Sequence, residues 1–105
     1  MKIGKAEKCI SIKVYIELAE ADVAGFLETY APFTEAVLAE EGCLEFTLYN
    51  CAGSTNKFFL YEEYKDQAAF DAHLNSQHVK DFFAYVPTVA SLKMDAVIYD
   101  SVKRA

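Results

Sequence analysis

The chain lacks most signatures of a metal, nucleotide or nucleic-acid binder. It has no CxxC pair and no cysteine–histidine grouping with metal-ligand spacing, so no metal site is expected. Its three cysteines, Cys9, Cys43 and Cys51, are an odd number, which argues against a disulfide scaffold and for reduced thiols in a cytosol. By strand parity Cys43 and Cys51 share a sheet face, but roughly 27 Å of extended chain separates them, too far to bridge. A pairing of Cys9 with either stays open. Basic charge is scarce: ten Lys and Arg against sixteen Asp and Glu give a net charge of −6. There is no basic stripe beyond the Lys103-Arg104 tail, so no nucleic-acid partner is expected. Long apolar runs are missing too. The longest candidate, Cys9 to Leu18, is broken by Ser11, Lys13 and Glu17, which excludes a membrane span or signal segment and implies a cytoplasmic protein. No glycine-rich phosphate loop, dinucleotide fingerprint or nucleophile elbow occurs, and no repeat or linker.

What is present is apolar and patterned. The 105 residues are 53% hydrophobic and include seven Tyr and eight Phe, enough for one domain (residues 1–105, core about 9–100) with a single aromatic-rich core. From Cys9 to Leu18 the chain alternates, Ile10, Ile12, Val14, Ile16 and Leu18 on one face, which predicts a half-buried strand. Ala21 to Glu41 follows a helical period, with Val23, Phe26, Leu27, Tyr30, Thr34, Val37 and Leu38 in one stripe. Asp22 is the expected N-cap, Gly42 the expected left-handed terminator, and Pro32 a kink. Cys43 to Cys51 reads as a second strand, with Leu44, Phe46 and Leu48 on one face. Ala52 to Asn56 is turn chemistry, and Lys57 to Lys65 pairs back as a hairpin. Asp66 caps a short helix to Leu74, with Phe70, His73 and Leu74 on one side. Ser76 caps another to about Val86, and Pro87 stops it. Leu92 to Asp100 is the last strand, with Leu92, Met94, Ala96 and Ile98 on one face.

The order β-α-β-β-α-β predicts an α+β, ferredoxin-like fold: a four-stranded antiparallel sheet with helices on one face. The other face carries Tyr15, Tyr49, Phe59, Tyr61, Val97 and Tyr99 among charged neighbours. Such a belt predicts a homodimer joined face to face through the open sheet, rather than a solvated surface of cross-strand pairs.

Two stretches carry a family resemblance. Glu41-Gly42-Cys43-Leu44-Glu45-Phe46 resembles the junction E-P-G-C-L-x-Y, with Glu41 in place of the proline. Phe58 to Leu74, FFLYEEYKDQAAFDAHL, resembles F-x-L-Y-E-x-[WY]-x-[DS]-x-x-A-[FL]-x-x-H. Asn75-Ser76-Gln77-His78 then resembles the usual S-P-H. These are similar to motifs of the antibiotic biosynthesis monooxygenase family, within the dimeric α/β-barrel superfamily. The resemblance implies a dimer and a pocket between helices and sheet. It also implies one of several activities: cofactor-independent oxygenation of a quinol or polyketide-like phenol, isomerisation in breakdown of phosphorylated autoinducer-2, or haem degradation. The haem-degrading branch has a histidine seven residues after the serine that starts the last helical segment. Here that position is Phe83, so haem is not expected, and no cofactor is.

By alternation Glu62 lies on the helix-covered face with Phe58, Leu60 and Tyr64. Burial there raises a carboxyl pKa, as a general acid/base requires. Tyr64 is a candidate to orient a phenol or quinone. His73 points to the core, where it can exchange a proton. These are the expected catalytic residues, with Asn50, His78, Phe46 and Phe83 for substrate binding. Each also has a plain structural reading, as a satisfied core or helix-start residue. An isomerase using the same Glu/His pair would need a cation for phosphate, from Lys57, Lys65 or Lys80. A non-catalytic small-molecule-binding dimer is the third reading.

Overall fold

The computed structural model describes residues 9–89 and 93–101. Strand β1 (Ile10–Glu17) leads through a 3-10 turn at Glu20–Asp22 into helix α1 (Val23–Leu38). Strands β2 (Cys43–Asn50) and β3 (Lys57–Tyr64) form a hairpin. Helices α2 (Gln67–Leu74) and α3 (Gln77–Tyr85), then a 3-10 turn at Val86–Thr88, precede β4 (Lys93–Asp100). The sheet runs β2-β3-β1-β4, antiparallel throughout. This is the expected α+β, ferredoxin-like arrangement. Leu92 lies outside the described residues. None of the described helices is long and apolar enough to cross a membrane.

The alternation of β1 is what builds the core. Ile10, Ile12, Val14 and Ile16 are buried and face Tyr64, Glu62, Leu60 and Phe58 of β3 in register. Phe26, Tyr30 and Val37 of α1 close over them. Each such side chain contributes about 1.5–3 kcal/mol over an exposed one. Gly53 turns the hairpin at φ +78°, a conformation that glycine adopts without steric cost. The Asp66 side chain caps α2, accepting from the Ala69 amide at 2.8 Å.

Several local expectations change. Asp22 makes no side-chain cap bond. The preceding 3-10 turn has already put it in helical geometry (φ −95°, ψ −9°). The helix ends at Leu38, short of Glu41, and Gly42 is not left-handed: among the described residues positive φ occurs only at Gly53. Gly42 is needed for closeness instead, because a Cβ there would lie 2.2 Å from the Ala69 Cβ. Leu27, Leu38 and Leu74, expected on buried stripes, are exposed, since each lies at the edge of its helix's packed face. Ser76 starts α3 but does not cap it with its side chain; its hydroxyl donates to the His73 carbonyl at 2.6 Å.

The β2–β3 register shifts between Cys43 and Glu45, so that Cys43 pairs with Tyr64 and Glu45 with Glu63. The extra residue, Leu44, is pushed into solvent at 48% exposure. Cys43 therefore packs against the core, on the opposite sheet face from the one shared by Glu45, Thr47 and Tyr49. Strand β4 is an edge, and the helix layer does not shelter Ile98, which is 59% exposed.

The reverse face has the expected aromatic character. Tyr15, Tyr49 and Tyr99 are about half exposed. The Phe59 ring lies between Tyr15 and Tyr49, at 5.3 and 6.0 Å. Tyr61 donates to Glu63 at 2.9 Å, and the Lys13 ammonium sits 5.5 Å over Tyr99.

Candidate active site

Strand β3 places Glu62 opposite Ile12 on one side and Phe46 on the other, beneath the helices. The carboxylate is buried. Burial drives its pKa up to about 7, against the hydrogen bond from Tyr64 and with help from the charge on Glu40. Near neutrality it both takes and releases a proton. The Tyr64 hydroxyl donates to Glu62 Oε1 at 2.7 Å. Tyr64 is fully enclosed, and burial, then Glu62, holds its own pKa far above the ordinary phenol range. At this position its hydroxyl holds the carboxylate.

His73, from α2, is buried and points at the same group, its Nε2 3.6 Å from Glu62 Oε1. Its other nitrogen, Nδ1, meets both oxygens of Glu40, at 2.9 and 3.1 Å. His78, near the start of α3, brings Nε2 to the same Glu40 Oε2 at 2.5 Å. One carboxylate thus receives two imidazoles. With Nδ1 donating to Glu40, His73 Nε2 faces Glu62 as an acceptor; this tautomer follows from the hydrogen-bond network. Burial lowers the His73 pKa, and Glu40 opposes that shift. The neutral ring is therefore favoured.

Glu62 and His73 line a cavity of about 40 Å³, walled by Phe33, Phe46, Leu60, Phe82 and Phe83. The expected catalytic residues thus lie together, with Phe46 and Phe83 on the cavity wall. Asn50 does not join them. It is exposed at the far end of β2 and donates to the Lys57 carbonyl at 3.2 Å. His78 joins the cluster through Glu40, its ring 6.4 Å from that of His73. The Cys43 thiol is raised to about 11, mainly by burial and then by Glu40 and Glu62, which keeps it protonated and a poor nucleophile.

Glu40 is the residue that sequence reasoning missed. It lies beyond the end of α1, 33 and 38 residues from the two histidines, so no local periodicity links them. One signal was available: Glu40 directly precedes Glu41, in the position that corresponds to the glutamate of the junction motif. Glu40, His73 and His78 also bring one potential ligand atom each within 4.8 Å of one another. This donor set is of a kind that binds divalent metals. As arranged, the carboxylate already satisfies both rings.

The sequence pattern of the family described as "Antibiotic biosynthesis monooxygenase" matches residues 9–85. The chain belongs to the antibiotic biosynthesis monooxygenase family. The match runs from β1 through α3 and so includes Glu40, Glu62, His73 and His78. Another relative of this family member, from Bacillus subtilis (strain 168), bears the name "Putative monooxygenase YcnE"; it is 28% identical over 88 residues, covering 84% of this chain and 93% of that one. The family member's fold is shared by Rv0793 from Mycobacterium tuberculosis, with TM-score 0.83 and 18% identity over 92% of this chain and 98% of that one. It is also shared by a conserved protein from Methanosarcina mazei Go1, with TM-score 0.81 and 24% identity over 89% and 92%. At such identities the structures speak for the fold alone.

Proposed function

We propose that this protein is a monooxygenase that oxidises a small hydroxylated aromatic, a quinol or polyketide-like phenol, with dioxygen and no further cofactor. The single observation that carries the reading is Glu62: a buried carboxyl with a pKa near 7, on the wall of an apolar cavity beside a neutral His73. The base takes the hydroxyl proton. The aromatic anion then gives electrons to dioxygen, one oxygen atom joins the ring and the other leaves as water. A hydroxyarene and O2 thus yield a quinone and H2O. Positioned acid–base groups contribute about 10²–10⁴-fold. The family and the name of the Bacillus relative support this class of chemistry.

Among the described residues the cavity wall carries no Lys or Arg, which disfavours an isomerase of phosphorylated substrates. The test is oxygen uptake with a panel of naphthols and quinols. Substrate-dependent uptake that falls at least 100-fold in Glu62→Gln is expected. No uptake across the panel, or full activity in that variant, would refute the reading.

We also infer a twofold dimer through Tyr15, Tyr49, Phe59, Tyr61 and Tyr99. The exposure of Tyr15, Tyr49 and Tyr99 around the half-buried Phe59 and Tyr61, on a sheet face opposite the helices, supports it, since contiguous exposed aromatics are uncommon on monomers. A cytoplasmic location belongs to the same reading, because an odd number of cysteines suits a reducing compartment.

A further inference from the structure

Glu40, His73 and His78 come from three places in the chain: the turn after α1, the last turn of α2 and the first turn of α3. The fold aims one donor atom of each at a common point, all within 4.8 Å of one another. His73 Nδ1 lies 2.9 and 3.1 Å from the Glu40 oxygens, and His78 Nε2 lies 2.5 Å from Oε2. Ligand atoms around a tetrahedral zinc ion stand roughly 3.3 Å apart, given bonds of about 2.0–2.1 Å. A shift of about 1 Å among the carboxylate and the rings therefore admits an ion between them. The Glu40 backbone is pinned, its amide donating to the Val37 carbonyl at 3.0 Å and its carbonyl accepting from Cys43 at 3.2 Å. Its side chain is 16% exposed and that of His78 27%, so an ion reaches the cluster from solvent.

The donor set is selective. Two imidazoles and one carboxylate suit a transition-metal ion such as Zn²⁺, whereas Mg²⁺ and Ca²⁺ take shells of oxygen. Three protein ligands leave a further position for water. The rings are held in place by their neighbours: His73 lies 4.7 Å from the Tyr64 ring and His78 6.2 Å from Phe33. An outer shell is present as well. His73 Nε2 faces the buried Glu62 carboxyl at 3.6 Å, and a metal-bound histidine ordinarily turns its other N–H toward such a group. An ion at Nδ1 moves the ring proton to Nε2, so His73 becomes a donor toward Glu62, the reverse of the tautomer that Glu40 imposes.

We propose that Glu40, His73 and His78 form a binding site for a single divalent transition-metal ion, Zn²⁺ by its donor set. The inference goes beyond the oxygenase reading, which uses no ion, and does not rest on it. Among the described residues that line the cavity of Glu62, only His73 belongs to the cluster. The ion thus sits behind His73 and acts on the cavity through that ring.

The experiment titrates ZnCl₂ into the full, EDTA-treated chain by calorimetry, with Mg²⁺ in excess and no substrate. Saturation at one ion per chain is expected. The chain has two histidines, so nitrogen spectra of the imidazoles are unambiguous. His73 should pass to the Nε2–H tautomer and His78 to the Nδ1–H tautomer as Zn²⁺ is added. Co²⁺ in place of Zn²⁺ should give the visible bands of a site of nitrogen and oxygen ligands. His78→Ala and Glu40→Ala should each weaken Zn²⁺ at least about 100-fold, the upper end of what loss of an outer-shell partner costs, with the fold checked by circular dichroism. Should both variants fail to fold, the imidazole shifts and the cobalt spectrum of the unaltered protein decide. The proposal is overturned if Zn²⁺ does not saturate at one ion per chain or if the histidine shifts do not move. It is equally overturned if a thiolate-to-cobalt band puts the ion on a cysteine, or if folded His78→Ala binds Zn²⁺ as tightly as the native chain.

Discussion

Tyr64 and Glu62 stand two residues apart on one face of β3, and the tyrosine hydroxyl holds the carboxylate at 2.7 Å inside the core. A hydrogen bond of this kind favours the ionised carboxyl, yet burial outweighs it and the pKa rises to about 7. The balance of these two effects, with the charge on Glu40 added to burial, sets where Glu62 titrates.

Stability should fall as pH rises through the Glu62 transition. The unfolded carboxyl ionises near 4.5, the folded one near 7, so the folded state keeps its proton longer. The contribution is whole below about pH 4.5 and is lost by about pH 7, on the order of 3 kcal/mol. The lowered His73 pKa acts oppositely, removing stability as pH falls below the ordinary histidine range. The difference between the native chain and Glu62→Gln isolates the carboxyl. Denaturant melts should show the variant more stable at pH 8 by on the order of 2–3 kcal/mol, with the gap closing by pH 4.5. A constant gap would mean that Glu62 ionises normally.

Glu40→Gln should disorganise both histidines at once. The carboxylate accepts from His73 and His78 together; an amide offers one oxygen and two hydrogens, so one ring loses its acceptor. A loss of about 1–3 kcal/mol is expected for charged hydrogen bonds of this sort. Imidazole nitrogen shifts should show His73 moving from a single Nδ1–H tautomer to a mixture. An unchanged His73 spectrum would show that Glu40 does not fix the ring.

The contrast between Glu62 and Glu40 marks what the sequence can tell. Glu62 was legible because strand alternation dictates its face, and its neighbours Leu60 and Tyr64 are apolar or aromatic. Glu40 was not, because its partners are distant in the chain. Asn50 shows a related limit: parity gives the side of a sheet but not the position along it, and Asn50 sits at the wrong end of β2. Cys43 shows another, since one irregular residue pair reverses the parity of all that precedes it. The Asp66 cap and the Gly53 turn were readable because both effects are local. The role of Gly42 was not, because the residue that demands it is Ala69 on another element.

Gly42→Ala should therefore destabilise the fold although no unusual backbone angle is needed there. The new methyl would sit 2.2 Å from the Ala69 Cβ and 3.3 Å from its Cα, an overlap with the backbone of α2 that no rotamer relieves. Overpacking of this kind costs about 1–3 kcal/mol. Ala69→Gly removes the obstructing methyl, at a helix-propensity cost of about 1 kcal/mol. The double variant should be more stable than the sum of the singles implies, read as a coupling energy from denaturant melts. Strict additivity would show that the two positions do not touch.

The open sheet face makes the last prediction. Tyr15, Tyr49 and Tyr99 lie outside the buried core cluster, so charges placed there should disturb association and not folding. The native chain should sediment at twice its 11.8 kDa mass. Tyr15→Glu with Tyr49→Glu should weaken the dimer at least 100-fold, about 2.7 kcal/mol, because two like-charged pairs would meet across a twofold axis. The circular dichroism spectrum should stay that of the native fold. A native chain that sediments as a monomer would leave these tyrosines as cross-strand partners of Phe59, stabilising one sheet and nothing beyond it.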